Sequence, residues 1–443
     1  MINPWLFLTD PVLRAPTIGC MLMCLAASLV GVIVLLRRQA LIGEALSHAA
    51  YPGAIFGALL TGILASEWMD WTLAIFSLLG AFSSALLGIW VIHILEKKLR
   101  VPSDAALCLV LSVFFGIGLT LTSEVQFSHT AIYRQVLTYF YGQAATMTSG
   151  YIVIYGILAL IVVLIIFLFY KEWQVMIFDR VYAKSLGIPV RHLDALLFVL
   201  IALSVIIGMR SVGVVLMSAM LIAPAATARQ LTHRLDLLFL LAALFGVMSG
   251  FLGNYFSVVL SDTTSRLILP TGPMIVAIAS LFCICALLFA PERGFIVRLV
   301  RMMRFRHRCL VENVLKALWR LTAQQPITLE KLAQYQATRS SYLRLVLWQL
   351  MRGGWVRETE PAHYELTPDG RHRAAKIVRL HRLWEVYLVD YLGVNAERVH
   401  CSAEEMEHIL TPELERELIE LLNDPKRDPH HQPIPPKEGL DAW

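Results

Sequence analysis

The sequence predicts an all-α polytopic membrane domain of about eight or nine transmembrane helices. A mostly α cytoplasmic region follows, with a winged helix-turn-helix and a helical metal-binding and dimerisation domain. Three observations carry this. The chain is 57% hydrophobic and only 16% charged, where water-soluble proteins carry about 25% charged residues. The apolar segments end at Phe289-Ala290-Pro291-Glu292. Six arginines then fall between Arg293 and Arg308; a basic cluster flanking a span stays in the cytoplasm, and the same cluster can alternatively contact DNA. The resulting layout is a membrane domain at 1–290, a basic linker at 291–308, a winged helix at 309–371, a metal-binding and dimerisation domain at 372–436, and a tail at 437–443.

A span needs about 20 mostly apolar residues. Suitable windows lie near 17–36, 43–64, 73–94, 105–122, 150–170, 193–209, 211–228, 235–257 and 271–290. The stretch 127–146, interrupted by Arg134 and Gln135, is a candidate short extra helix. Arg37-Arg38, the run Glu96 to Arg100, the 171–192 loop and the residues after 290 carry the positive charge of the inner side. The 65–71 and 258–270 loops carry little and belong outside, which fits nine spans and an external N-terminus. The seven cysteines include no CxxC and give no disulfide framework. The first sixteen residues lack the pattern of a cleavable signal peptide.

Three motifs exceed what a plain helical bundle requires. Glu44 and His48, in Gly43-Glu44-Ala45-Leu46-Ser47-His48, are four residues apart and share a helix face. Ionisable groups inside a span are costly and usually face a pathway, and a carboxylate with an imidazole suits Mn, Fe or Zn. An ion pair at the cytoplasmic edge fits the spacing equally well. The loop Phe178 to Pro189 carries a short amphipathic helix stopped by Gly187 and Pro189, either a docking element or an ordinary surface helix. Arg210-Ser211-Val212-Gly213, followed by Ala223 to Arg229, holds small residues and a proline that suit close packing or an irregular cavity lining. No GxxxxGK[ST] loop is present, so ATP hydrolysis would fall to another chain.

These motifs, with Tyr51-Pro52-Gly53, Ala183 to Pro189 and Ile222 to Arg229, resemble the permeases of manganese-, zinc- and iron-type ABC importers. The resemblance implies that Glu44 and His48 line the metal pathway. It implies that Arg180, Tyr182, Ala183, Leu186 and Gly187 belong to a coupling helix seated on an ABC ATPase subunit. A metal-delivering substrate-binding protein and a second permease chain, identical or sister, complete the expected assembly. Most of the family carries Asp where this chain has Glu44.

Beyond Arg308 the apolar period becomes that of soluble helices, with Leu310, Val314, Leu318 and Leu321 on one face. Pro326-Ile327-Thr328 is expected to open a helix with Thr328 as its cap. A second helix runs from Tyr342 to Met351 and stops at Gly353-Gly354. Trp355 to Arg357 and Tyr364 to Leu366 then alternate like a small hairpin. This order is that of a winged helix. Arg339, Ser340, Ser341, Tyr342 and Arg344 are phosphate- and base-contacting types at the groove-entering end, although a winged helix can also dock a protein. Further on, His381 with Glu385, His400, and Glu404 with Glu407 and His408 gather two kinds of metal donor within a short stretch. A solvated helix would show any one such pair.

With Leu366-Thr367-Pro368-Asp369-Gly370 and the ending Pro433-Ile434-Pro435, the soluble half resembles the metal-dependent repressors of the DtxR/MntR family. The resemblance implies one site from His381, Glu385 and His400 and another from Glu404, Glu407 and His408. Asn313 stands at the first-helix ligand position, and Lys316 replaces an acid one turn on. It further implies a dimer bound to operator DNA with a divalent metal as corepressor, Mn or Fe before Zn. Both halves together resemble an importer fused to its own regulator, with proteolytic release in the 293–308 segment as one way to free the regulator. The alternative is an ion-driven transporter with a cytoplasmic metal-sensing gate that does not bind DNA.

Overall fold

The computed structural model describes residues 3–64, 70–128, 130–147, 149–261, 269–322, 325–395, 399, 406 and 411–436. The chain divides into two compact units, Met1–Arg298 and Leu299–Trp443.

In the first unit a short α1 (Leu6–Thr9) precedes α2 (Pro11–Leu36), which Asp10 caps by accepting from Val12 N at 2.8 Å, with Pro11 in the first turn. The unit continues with α3 (Ala40–Leu64), α4 (Asp70–Lys97), α5 (Ser103–Ser128) and α6 (Thr130–Tyr141). Then come α7 (Ser149–Leu168), α8 (Tyr170–Phe178), α9 (Arg180–Ser185), α10 (Val190–Met209), α11 (Met217–Leu231), α12 (Leu235–Leu260) and α13 (Thr271–Phe289). Among the described residues seven of these helices (α2, α4, α5, α7, α10, α12 and α13) are long and apolar enough to cross a membrane. The remaining two expected spans differ for physical reasons. Glu44, His48 and Pro52 dilute the apolar character of α3, and α11 has only 15 residues. The loops expected outside fall largely on 65–69 and 262–268, beyond the described residues.

Burial explains this arrangement. α2 and α3 form the interior of the unit, with Met23, Val30, Ile33, Leu46, Tyr51 and Ile55 fully covered. Outer helices instead expose apolar stripes. Val153, Ile157, Leu160, Leu164 and Phe167 of α7 repeat at helical spacing and are each more than half exposed, the surface a bilayer rather than water would cover. The α3–α4 crossing is made by glycines. A Cβ on Gly53 would stand 2.1 Å from the Gly80 carbonyl oxygen, and one on Gly57 would stand 2.2 Å from that of Phe76. Such small-residue pairs bring helix backbones into direct contact.

The second unit begins within α14 (Phe295–Leu321), so the basic stretch is helical from Phe295 onward. β1 (Ile327–Thr328), α15 (Leu329–Tyr335), α16 (Ser340–Arg352), β2 (Val356–Glu360), β3 (His363–Leu366), α17 (Pro368–Asp390) and α18 (Pro412–Leu421) follow. Thr328 caps α15 as expected, its hydroxyl accepting from Lys331 N at 3.4 Å. Ile327 and Thr328 themselves form a strand. They pair with Tyr364 and His363 and extend the expected hairpin to an antiparallel sheet ordered β1-β3-β2. Val314, Leu315, Leu318, Leu332, Leu343, Val346, Leu347 and Leu350 fill the winged-helix core. A smaller core of Leu383, Val386, Leu418 and Ile434 joins α17 to α18 and the chain end. Arg379, 3% exposed, ties that end to α17 by donating to the Pro435 carbonyl at 2.6 Å.

Candidate metal centres

Glu44 and His48 lie on α3 as the spacing required. His48 is 7% exposed and Glu44 partly covered. The edge of Phe115 meets the imidazole at 4.5 Å between centroids, and Phe140 stacks on Phe115. Tyr51, one turn after His48, turns its hydroxyl to Thr122 Oγ1 at 2.8 Å. His48 Nδ1 has no hydrogen-bond partner among the described residues. A buried imidazole nitrogen without a partner is costly, and an aromatic wall leaves few protein groups to satisfy it. The arrangement suits a site whose partner is the cargo. Phe115, which meets His48, and Phe140 and Thr122, which meet Tyr51, were not legible as site residues, because they come there only through the packing of α5 and α6 on α3.

The proposed coupling segment forms α9. Asp179 caps it, accepting from Val181 N at 2.8 Å and Tyr182 N at 3.0 Å. Gly187, at φ +77°, ends it in the left-handed conformation glycine favours, and Ile188 N returns to the Ala183 carbonyl. Ala183 is buried and holds the helix on the unit, while Val181, Tyr182 and Leu186 are each more than half exposed. Arg180 bonds to Asp194 at the start of α10, and Asp194 also accepts from Arg37 at the end of α2, at 2.7 Å. Arg37 thus has a specific partner.

Arg210 to Leu216 is an irregular segment between α10 and α11. Gly213 (φ +91°) and Gly142 (φ +75°) meet backbone to backbone, where a Cβ on Gly142 would fall 2.3 Å from the Val212 carbonyl carbon. Val214 N donates to the Tyr139 carbonyl, and Gln143 N to that of Arg210. Arg210 stacks over Tyr151 at 4.3 Å and donates to a tyrosine hydroxyl, that of Tyr151, at 2.8 Å. These contacts fit the close-packing reading of the motif, whereas Pro224 lies inside α11 and does not break it.

In the second unit Arg339 is the N-cap of α16, and Ser340, Ser341, Tyr342 and Arg344 are exposed on its first turns. Tyr342 is engaged by His307 of α14. Its Nδ1 lies 2.8 Å from the Tyr342 hydroxyl and its Nε2 2.7 Å from Gln349 Oε1, both at hydrogen-bond distance. His307 was not singled out in the sequence, where it sits among arginines.

His381 and Glu385 share one face of α17, 2% and 1% exposed, with Nε2 and Oε1 3.1 Å apart. A buried nitrogen–oxygen donor pair of this kind fits a divalent metal. Asn313 Oδ1 is buried without a partner among the described residues, while its carbonyl accepts from Gln336 Nε2 at 3.0 Å. Lys316 is 4% exposed. His400, Glu404, Glu407 and His408 lie outside the described residues. Among the described residues no group of three or more His, Cys, Asp or Glu side chains comes together.

The first unit has the architecture of a transport permease, and the second that of a metal-dependent regulator. The chain belongs to the ABC 3 transport family, which it matches over residues 9–290. Residues 367–436 match the iron dependent repressor, metal binding and dimerisation domain. A probable metal transport system membrane protein of Chlamydia trachomatis is 38% identical over 441 residues, 96% of each chain. The manganese transport system membrane protein MntC of Bacillus subtilis is 33% identical over 387 residues, 87% of this chain and 86% of that one. A chain of PsaBC from Streptococcus pneumoniae, solved in complex with Fab, superposes with a TM-score of 0.55 at 26% identity, covering 65% of this chain and 95% of that chain.

Proposed function

We propose that the chain is the membrane subunit of an ATP-driven divalent-metal importer carrying its own metal-dependent transcriptional repressor. One observation supports both halves of the reading. Each unit holds a His and a carboxylate four residues apart on a helix, with the imidazole buried (Glu44 and His48, His381 and Glu385). Oxygen and imidazole donors favour Mn or Fe(II), with Zn as the third candidate.

In this reading Glu44 and His48 line the path of the cargo. α9 offers Arg180, Tyr182, Leu186 and Gly187 to a separate ABC ATPase, with buried Ala183 seating the helix on its own unit rather than facing the partner, and a substrate-binding protein delivers the metal to a pair of permease chains. The second unit is cytoplasmic, on the side the arginines mark, and stays tethered to the multi-pass inner-membrane unit or is released by cleavage. There His381, Glu385 and His400 would form one corepressor-metal site and Glu404, Glu407 and His408 a second, with Asn313 at the first-helix ligand position. The bound ion would supply a divalent charge held jointly by donors of different segments, which would in turn position α16 for DNA. A dimer would set two α16 helices about 34 Å apart on an operator, through Arg339, Ser340, Ser341, Tyr342 and Arg344. Import would thereby limit its own expression.

The test is a gel shift of the full chain in detergent over genomic fragments, with Mn or after chelation, beside radioactive Mn uptake in cells that co-express the neighbouring ATPase and binding protein. Metal-dependent shift and ATP-dependent uptake are expected. Absence of either removes the corresponding half of the proposal.

A further inference from the structure

Three observations in the second unit bear on how it would hold DNA. First, the wing is acidic. Arg357 is paired with Glu365, while Glu358 and Glu360 are exposed near the β2–β3 turn. A wing of that sign repels phosphate. Second, Arg301, Arg304 and Arg308 follow one another at i, i+3 and i+7 along α14, one stripe of a helix, and all three are exposed. Arg308 has a carboxylate partner in Glu312, at 2.9 Å, whereas Arg301 and Arg304 have none among the described residues. Third, His307 fixes where this stripe lies. By bonding both Tyr342 and Gln349, two turns apart on α16, it holds the arginine-bearing half of α14 alongside the helix that would enter the groove.

We propose that the Arg301, Arg304 and Arg308 stripe grips the sugar–phosphate backbone of duplex DNA beside the groove entered by α16, supplying the contacts that the acidic wing cannot. The proposal rests on the DNA-binding reading of the second unit. Phosphate contacts of this kind position a protein without reading sequence. Glu312 lowers the share of Arg308, so Arg301 and Arg304 carry most of the effect. The competing surface, an anionic bilayer, would use the same charges, but the His307 contacts face the stripe's helix toward α16.

The experiment uses the full chain in nanodiscs of zwitterionic lipid with Mn present, and a labelled duplex of mixed sequence, about 30 base pairs, long enough for two half-sites. The variant carries Arg301→Gln, Arg304→Gln and Arg308→Gln, which retain helix propensity. An unchanged melting temperature verifies its fold. Expected is a fall in the slope of log K against log salt of about 0.9 for each arginine on a phosphate, roughly 2 to 3 in all, with affinity lost equally for unrelated duplexes. An unchanged slope overturns the inference while leaving the DNA reading intact. So does an unchanged slope accompanied by new hydrogen-exchange protection of 299–308 in anionic nanodiscs, which assigns the stripe to lipid. No binding by the unsubstituted chain defeats the DNA reading and this inference with it.

Discussion

Arg37 donates from Nη2 to Asp194 Oδ1 at 2.7 Å across 157 residues of sequence. The same carboxylate holds Arg180, the first residue of α9. One side chain therefore ties the end of α2, the start of α10 and the proposed coupling helix. Arg37 and Asp194 are mostly covered, with side chains 11% and 19% exposed.

Asp194→Ala should break this tie and leave the Arg37 charge poorly compensated. The stability loss should be about 1–3 kcal/mol, below the roughly 3–5 kcal/mol of a fully buried pair because Arg180 is half exposed. ATP-driven uptake should fall more than metal binding, since the α3 site is untouched. Parallel uptake and equilibrium metal-binding assays check this, and equal losses in both would show Asp194 to be a structural residue alone.

His48→Ala and Glu44→Gln should each reduce uptake at least about tenfold, because loss of even an outer partner of a metal ligand costs about 10–100-fold. Glu44→Asp, which keeps the carboxylate, should retain transport. Radioactive Mn uptake reads all three. Full activity in His48→Ala would remove the pathway from α3.

Metal should stabilise the second unit. At a free metal concentration 100 times Kd the expected gain is about 2.7 kcal/mol, visible by calorimetry as a chelator-sensitive shift of its transition. His381→Ala should reduce the shift, leaving what the Glu404, Glu407 and His408 site contributes. A shift of unchanged size in this variant would remove His381 from the metal site.

If the second unit is released in cells, the cut should fall in the turn Pro291 to Gly294 rather than inside α14. A protease needs extended backbone, and a helix must first open locally. N-terminal sequencing of any C-terminal fragment decides, with a terminus between 296 and 308 as the contrary result.

The solvent change near residue 290, the short α9 and the winged helix were legible because each rests on local signals: an apolar run, a Gly-Pro stop, a periodic face. β1 was not, since a two-residue strand exists only through its partner β3. The span count was blurred where polar groups interrupt a span, as Glu44 and His48 do in α3. The paired carboxylates and imidazoles could be read at i, i+4 spacing. The wall around His48, the role of Asp194 and the grip of His307 on α16 depend on contacts between distant segments and leave no mark in periodicity.

The Gly53–Gly80 contact sets a mechanical condition on transport. With backbone against backbone, the small Ser84 side chain is what borders the contact, and little can be compressed or repacked there. The helix bearing Glu44 and His48 is thus seated on α4 as on a rail. Any swing that opens the cargo's path to one side and then the other must carry both helices together, or break the seat outright.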